Sequence, residues 1–329
     1  MRQESGTARR ALQVMGDGLY TTPVIRPVAL AAATLIAVSA SPPAQSPADQ
    51  PAARLLIDAV ATDNHGMPIM DLKPADLEVW IGHFRVPIET LTAVTPGTDE
   101  QKGRLLVLLM DDVTLPVEFV PRAREVARHF VTRMAPGDRM AVVMLNGGTM
   151  ESTNDSSRLL KAIDSYNQRA SGVSRLDDLG AHLLETVADL ARQLAEGPDQ
   201  RKTIVAIGSG WLIDRPVPPP AAGHDLLPDW ISTMRMLSLS NANVYVIDPS
   251  GVGVARADAG DNGFARETGG HAFLNTNDLN AAADRILRES ANYYLIAVGS
   301  PPVGANGLRE LDVKALRRGV TIRARRAIH

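Results

Sequence analysis

Asp111, Asp112 and Thr114 close the segment Leu105 to Thr114, which reads LLVLLMDDVT. Two carboxylates and a hydroxyl within four positions have a short list of uses. They ligate a hard divalent cation, serve as acid and base, or accept loop N–H groups as a structural brace. Neighbouring residues of an extended chain project to opposite sides, so Asp111 and Asp112 do not readily share one reaction centre. The brace is therefore the ordinary expectation for one of them, with the other facing solvent. Asp248, which follows a later apolar run, is a further carboxylate for any reading in which Asp112 and Thr114 hold a cation.

Other chemistries are excluded by what the chain lacks. It has no cysteine, so disulfides, thiolate metal sites and thiol nucleophiles are absent. There is no G-x-S-x-G elbow, no G-x-G-x-x-G after the first strand and no P-loop lysine pattern. An aspartyl phosphotransferase needs Asp-x-Asp, whereas here the two acids are adjacent. The 7 histidines include no i, i+4 pair, and His271 reads as a structural residue of an apolar strand. With 34 Lys and Arg against 37 Asp and Glu, the formal charge of -3 gives no footprint for nucleic acid or an anionic membrane.

The elements that must position the acids follow from periodicity. Six consecutive apolar residues before Asp111 describe a strand covered on both faces, as in a parallel sheet, where ligands sit beyond the carboxyl ends. Helical spacing follows over Val120 to Met134, ending at Pro136-Gly137-Asp138. Met140 to Leu145 is a second strand, and Ser156 to Asn167 a helix capped near Asp155. The pattern repeats with a helix at Leu176 to Leu194, a strand at Thr203 to Ile207 running into Gly208-Ser209-Gly210, and a helix at about Leu227 to Ser240. Val244 to Ile247, Phe264 to Thr268, His271 to Leu274 and Leu279 to Ala291 continue the alternation.

Both ends of this α/β middle are strand-like. Residues 54 to 95 hold an alternating segment with Leu55, Ile57, Ala59 and Ala61 in phase, a second at Leu77 to Ile81 and a third at Val86 to Val94. Residues 292 to 329 hold Tyr293 to Val298, Leu311 to Leu316 and Val320 to Ala327. Some forty residues cannot bury a core alone, so the two β ends are expected to pack together as one accessory sheet. Ahead of them, Arg26 and the apolar run Val28 to Val38 read as a signal peptide spanning residues 1 to 40, with either Met1 or Met15 as the start. The run is too short for a spanning helix, so no integral membrane span is expected once it is removed. Residues 41 to 53 form a Pro/Ala-rich linker, and the whole predicts an exported protein, periplasmic or extracellular.

The middle, 104 to 291, resembles a von Willebrand factor type A domain. The resemblance rests on LLVLLMDD, PGDRMAVVMLN, RKTIVAIGSG and NANVYVIDP, followed by FARETGGHAFLNTNDLNAAADRIL. The order of β ends and middle is similar to the exported "VWFA-related" proteins of soil bacteria, with DAVATDNHGMPIMDLKPADLEVW before the domain and NYYLIAV and LDVKALRRGVTIRARRA after it. It implies a doubly wound, mainly parallel sheet of Rossmann-like type, with an accessory β sheet from the chain ends. It also implies a Mg²⁺ held by Asp-x-Ser-x-Ser, a loop Thr and a later Asp. On that pattern Asp112, Thr114 and Pro116 take the first three places, or Asp111, Val113 and Leu115 in the other register. Ser174 takes the loop Thr position and Ser209 that of the last Asp, so the metal set is degenerate. The implied function is noncatalytic binding of a protein partner through Asp111, Asp112, Thr114, Ser174 and Ser209. Two alternatives stand beside it: a Mg²⁺-dependent hydrolase or phosphotransferase using Asp112, and a structural component of an envelope assembly.

Overall fold

The computed structural model describes residues 54–97, 103–147, 151–168, 176–197, 201–209, 225–252, 263–299 and 309–328. The expected signal peptide and linker, Ser174 and the proline-rich loop at 216 to 220 lie outside the described residues. The described chain opens with four strands: β1 (Arg54–Thr62), β2 (Leu77–Ile81), β3 (Phe84–Val86) and β4 (Ile88–Val94). An alternating run follows: β5 (Leu105–Met110), α1 (Val120–Thr132), β6 (Arg139–Met144), α2 (Ser156–Ser165), α3 (Leu176–Ala195), β7 (Lys202–Ile207), α4 (Leu227–Leu239), β8 (Ala242–Ile247), α5 (Gly263–Thr268), β9 (Ala272–Phe273) and α6 (Leu279–Ala291). It closes with β10 (Tyr293–Gly299), β11 (Arg309–Ala315), β12 (Thr321–Ala324) and β13 (Ala327–Ile328).

Strands β5 to β9 form one parallel five-stranded sheet in the order β6-β5-β7-β8-β9. The inner strand β5 shows why an unbroken apolar run was required. Leu106, Leu108 and Met110 face a core shared with α1, α2 and α6. Leu105, Val107 and Leu109 alternate into a second core shared with α3, α4 and Phe264 of α5. With period-2 geometry and helices on both faces, every position of β5 is buried. Asp155 caps α2 by accepting the Ser157 and Arg158 N–H groups, and Asp278 caps α6 through the Ala281 N–H.

The β ends form two antiparallel sheets where one was expected: β12-β1-β10-β4 and β13-β11-β2-β3. Ile57, Ala59 and Ala61 of β1 share a core with Leu77, Val79 and Ile81 of β2, Tyr294, Ile296 and Val298 of β10, and Leu311 and Val313 of β11. The apolar faces of the two sheets thus cover one another. The expected strand at Val86 to Val94 is split at Pro87, which has no N–H for a ladder. Before it, β3 pairs with β2; after it, β4 pairs with β10 in the other sheet. The expected strand at Val320 to Ala327 breaks in the same way, β12 pairing with β1 and β13 with β11. No helix among the described residues is long and apolar enough to cross a membrane.

A buried charge network joins the first of these sheets to the α/β body. Asp58 of β1 accepts from Arg325 at 3.2 Å and lies 3.4 Å from Arg201, just before β7. Burial pushes the Asp58 carboxyl up, and the Arg201 and Arg325 charges outweigh it and hold it below its usual value. Glu289 of α6, fully buried, pairs with Arg323 of β12 and with Arg285. Its carboxyl is likewise pushed up by burial and brought below its usual value by those two guanidinium groups.

Candidate functional site

The parallel sheet delivers the predicted residues to one rim. Asp111 N donates to Ile207 O at 3.0 Å and Leu145 N to Met110 O at 2.9 Å, so the β5 end is tied to both neighbours, β7 and β6. Asp111 is buried, and its Oδ1 accepts the N–H groups of Val113 at 3.1 Å and Thr114 at 2.7 Å. Its Oδ2 accepts the Thr114 hydroxyl at 2.5 Å and the Ser209 N–H at 3.3 Å. The Ser209 hydroxyl donates back to Thr114 O at 3.2 Å. Asp112 turns the other way and accepts the Asn146 N–H at 2.8 Å, linking the loops after β5 and β6.

Asp111, Thr114 and Ser209 therefore converge, Asp112 is buried on the other side against the loop after β6 and does not face solvent as expected, and Ser174 lies outside the described residues. Asp248, at the end of β8, accepts the Ser250 N–H at 2.9 Å within its own turn. Sequence reading missed Tyr166, whose hydroxyl donates to Asp111 O at 2.7 Å. Burial and the nearby carboxylates of Asp111 and Asp112 push that phenol well above its usual range, so it remains a donor at neutral pH. Tyr166 sits just past α2 at helical spacing from Leu159 and Ile163, so periodicity marks its ring as a core position but says nothing of its hydroxyl.

The arrangement explains its own chemistry. A hydroxyl bonded to a carboxylate, as Thr114 is to Asp111, is half of a nucleophile and base pair. The N–H groups that would receive a developing oxyanion, those of Val113 and Thr114, are aimed at Asp111. The Mg²⁺ implied by the resemblance would need Asp112, Thr114 and Ser174 together, and Asp112 is turned from Thr114 while Ser174 lies outside the described residues. Asp111 and Thr114 spend their oxygens on each other and on the loop, the Ser209 hydroxyl is directed at a backbone carbonyl, and Pro116 offers no side-chain oxygen. Among the described residues no group of three or more His, Asp or Glu could hold a metal ion.

What the braced rim presents to solvent is different in kind. Val117, in the turn between β5 and α1, is 61% exposed, and Val252, in the loop after β8, is 64% exposed. Arg122, in the first turn of α1, contacts Asn277 Oδ1 at 3.4 Å, and Val252 N donates to the same oxygen at 3.3 Å. The loops after β8 and β9 are thereby tied to the start of α1. An exposed valine in a loop carries no periodicity, so nothing in the sequence singled out either one. Comparison with protein-family models and with curated proteins returned no match.

Proposed function

We propose that this chain is an exported, noncatalytic protein-binding module of the von Willebrand factor type A kind. Its sheet is doubly wound, its metal site is degenerate, and the loops after the parallel strands dock a protein partner. The observation that carries this reading is the pairing of a rigid rim with exposed apolar tips. Asp111 spends its carboxylate on holding the rim, and Val117 and Val252 stand out from it. Apolar side chains on loops fixed by a rigid scaffold lose little entropy on docking and suit the core of a protein interface. The segment order quoted above supports the type A assignment, and the parallel sheet with helices on both faces is compatible with it.

The test has two arms. The full chain and its Val117→Asp/Val252→Asp variant are used to capture proteins from an envelope fraction; a partner held by the first and lost by the second supports the reading, and equal retention overturns it. Thermal melting with and without millimolar Mg²⁺ tests the degenerate site. A rise of several degrees that Asp112→Ala abolishes would return Asp112 to a metal role, since a cation bound only to the folded state raises stability by mass action.

A further inference from the structure

A groove of about 230 Å³ opens between α3 and the loop after β6. One wall is the loop that Asp112 holds: Asn146, whose N–H Asp112 accepts at 2.8 Å, and Gly147. The other wall is α3, which brings His182, Glu185, Asp189 and Gln193 to the groove at intervals of three and four residues, the spacing of one helix face. Val143, Met144 and Leu190 supply its apolar part. The Thr186 hydroxyl donates to His182 O at 2.9 Å and lies 3.4 Å from Leu145 O, which fastens α3 to the end of β6.

Asp111 and Thr114 spend their oxygens on each other and on the loop; the polar groups of this groove are unspent. Among the described residues the side chains of Asn146, Glu185 and Gln193 have no hydrogen bond or ion pair, and His182 Nε2 is buried without a partner. A buried nitrogen left unpaired is uncommon in a folded protein, and it marks a wall that the chain's own groups do not complete. Asp189 is paired with Arg192, which is exposed and outside the groove wall. Two carboxylates thus line the groove and, among the described residues, no Lys or Arg does.

We propose that this groove takes the side chain of a Lys or Arg presented by a partner protein. The charged head meets the Glu185 carboxylate and the amide oxygens of Asn146 and Gln193, all of which accept N–H groups. The alkyl stem lies along Met144 and Leu190, as the stems of long cationic side chains do on apolar surface. The volume falls below the about 300–1,000 Å³ of sites for drug-sized ligands, so it suits one side chain. No three of its His, Asp or Glu groups are placed for a metal ion, which leaves an organic cation as the matching charge. The site goes beyond the rim reading, because it uses neither Val117 nor Val252.

The test titrates the full chain with hexapeptides alternating Ala with Lys or Ala with Arg, and follows the side-chain amides by NMR. An Ala/Glu hexapeptide, n-butylamine and Zn²⁺ are the comparisons. A cationic peptide is expected to bind, more weakly at high salt, and to shift the Asn146 and Gln193 amide signals. Glu185→Gln, a change of charge but not of shape at an exposed position, is expected to weaken it about tenfold. Glu196→Gln, at an exposed acid of the same segment outside the groove wall, and Val117→Asp/Val252→Asp are expected to bind as the parent does. Equal binding of the Ala/Glu peptide, full affinity in Glu185→Gln, or unmoved Asn146 and Gln193 signals would each overturn the proposal. So would Zn²⁺ moving those signals where the peptides do not, or butylamine binding as tightly as the peptides, which would assign the groove to a metal ion or to a small amine.

Discussion

A Cβ added to Gly208 would stand 2.1 Å from the Asp111 Cβ and 2.7 Å from its Oδ2. The demand is one of space, set by the hydrogen-bonded neighbours β5 and β7, whose ends lie side by side where Asp111 folds over the Gly208 backbone. Gly208→Ala is expected to destabilise by about 1–3 kcal/mol through overpacking. A lower urea midpoint with unchanged m would show it. A variant as stable as the parent would mean that the contact is not tight.

Asp111→Ala removes the acceptor of the Val113, Thr114 and Ser209 N–H groups together. Each buried donor left without a partner costs about 1–3 kcal/mol. Asp111→Asn keeps Oδ1 but sets an NH₂ against the Ser209 N–H, so its loss should fall between parent and Ala. Amide exchange at Thr114 and Ser209 should rise in the same order. Equal stability of all three proteins would remove the brace from the account.

Tyr166→Phe deletes the hydroxyl that satisfies Asp111 O without changing the packed ring. The expected loss is about 1–2 kcal/mol, read by thermal or urea unfolding. The rim should keep its partner, because the change lies beneath the surface that Val117 and Val252 present.

How far the sequence reached can be argued from single segments. LLVLLM announced a strand buried on both faces, and helix α6 matched its expected limits, Leu279 to Ala291, because apolar spacing and the Asp278 cap agree. That Asp111 and Asp112 point to opposite sides was legible, since it follows from the alternation of an extended chain, but Asp112, expected to face solvent, is buried on the Asn146 N–H, a partner that only the parallel pairing of β5 with β6 brings near. The sheet switches at Pro87 and at Arg325-Arg326 were not legible, because local pattern does not tell which of two sheets a strand joins. Nor was the charge network. Asp58, Arg201, Glu289 and Arg325 come from four distant segments, and only the folded chain makes them neighbours.

Asp58→Asn tests that network. It leaves Arg201 and Arg325 buried against a neutral partner, and breaking a buried pair in this way costs about 3–5 kcal/mol. The exposed pair of Asp71 and Arg317 is the control: Asp71→Asn should leave the unfolding midpoint where it was. If the two substitutions proved equally mild, the β extension would not be fastened to the body by charge.

The same carboxylates set the acid limit of the fold. In the folded chain Asp58 and Glu289 stay ionised below their usual range, because paired arginines outweigh the burial that opposes ionisation. A carboxylate whose folded pKa is depressed adds stability that is complete above its unfolded value, near 4, and is lost as pH falls through the folded value. The urea midpoint should therefore hold between about pH 7 and 5 and drop steeply below about pH 4. Asp58→Asn, already less stable, lacks the Asp58 share of that drop, so its midpoint should decline more gently over the same range. Parallel curves for parent and variant would mean that Asp58 takes up its proton equally in the folded and unfolded chain, and that Arg201 and Arg325 do not hold it ionised.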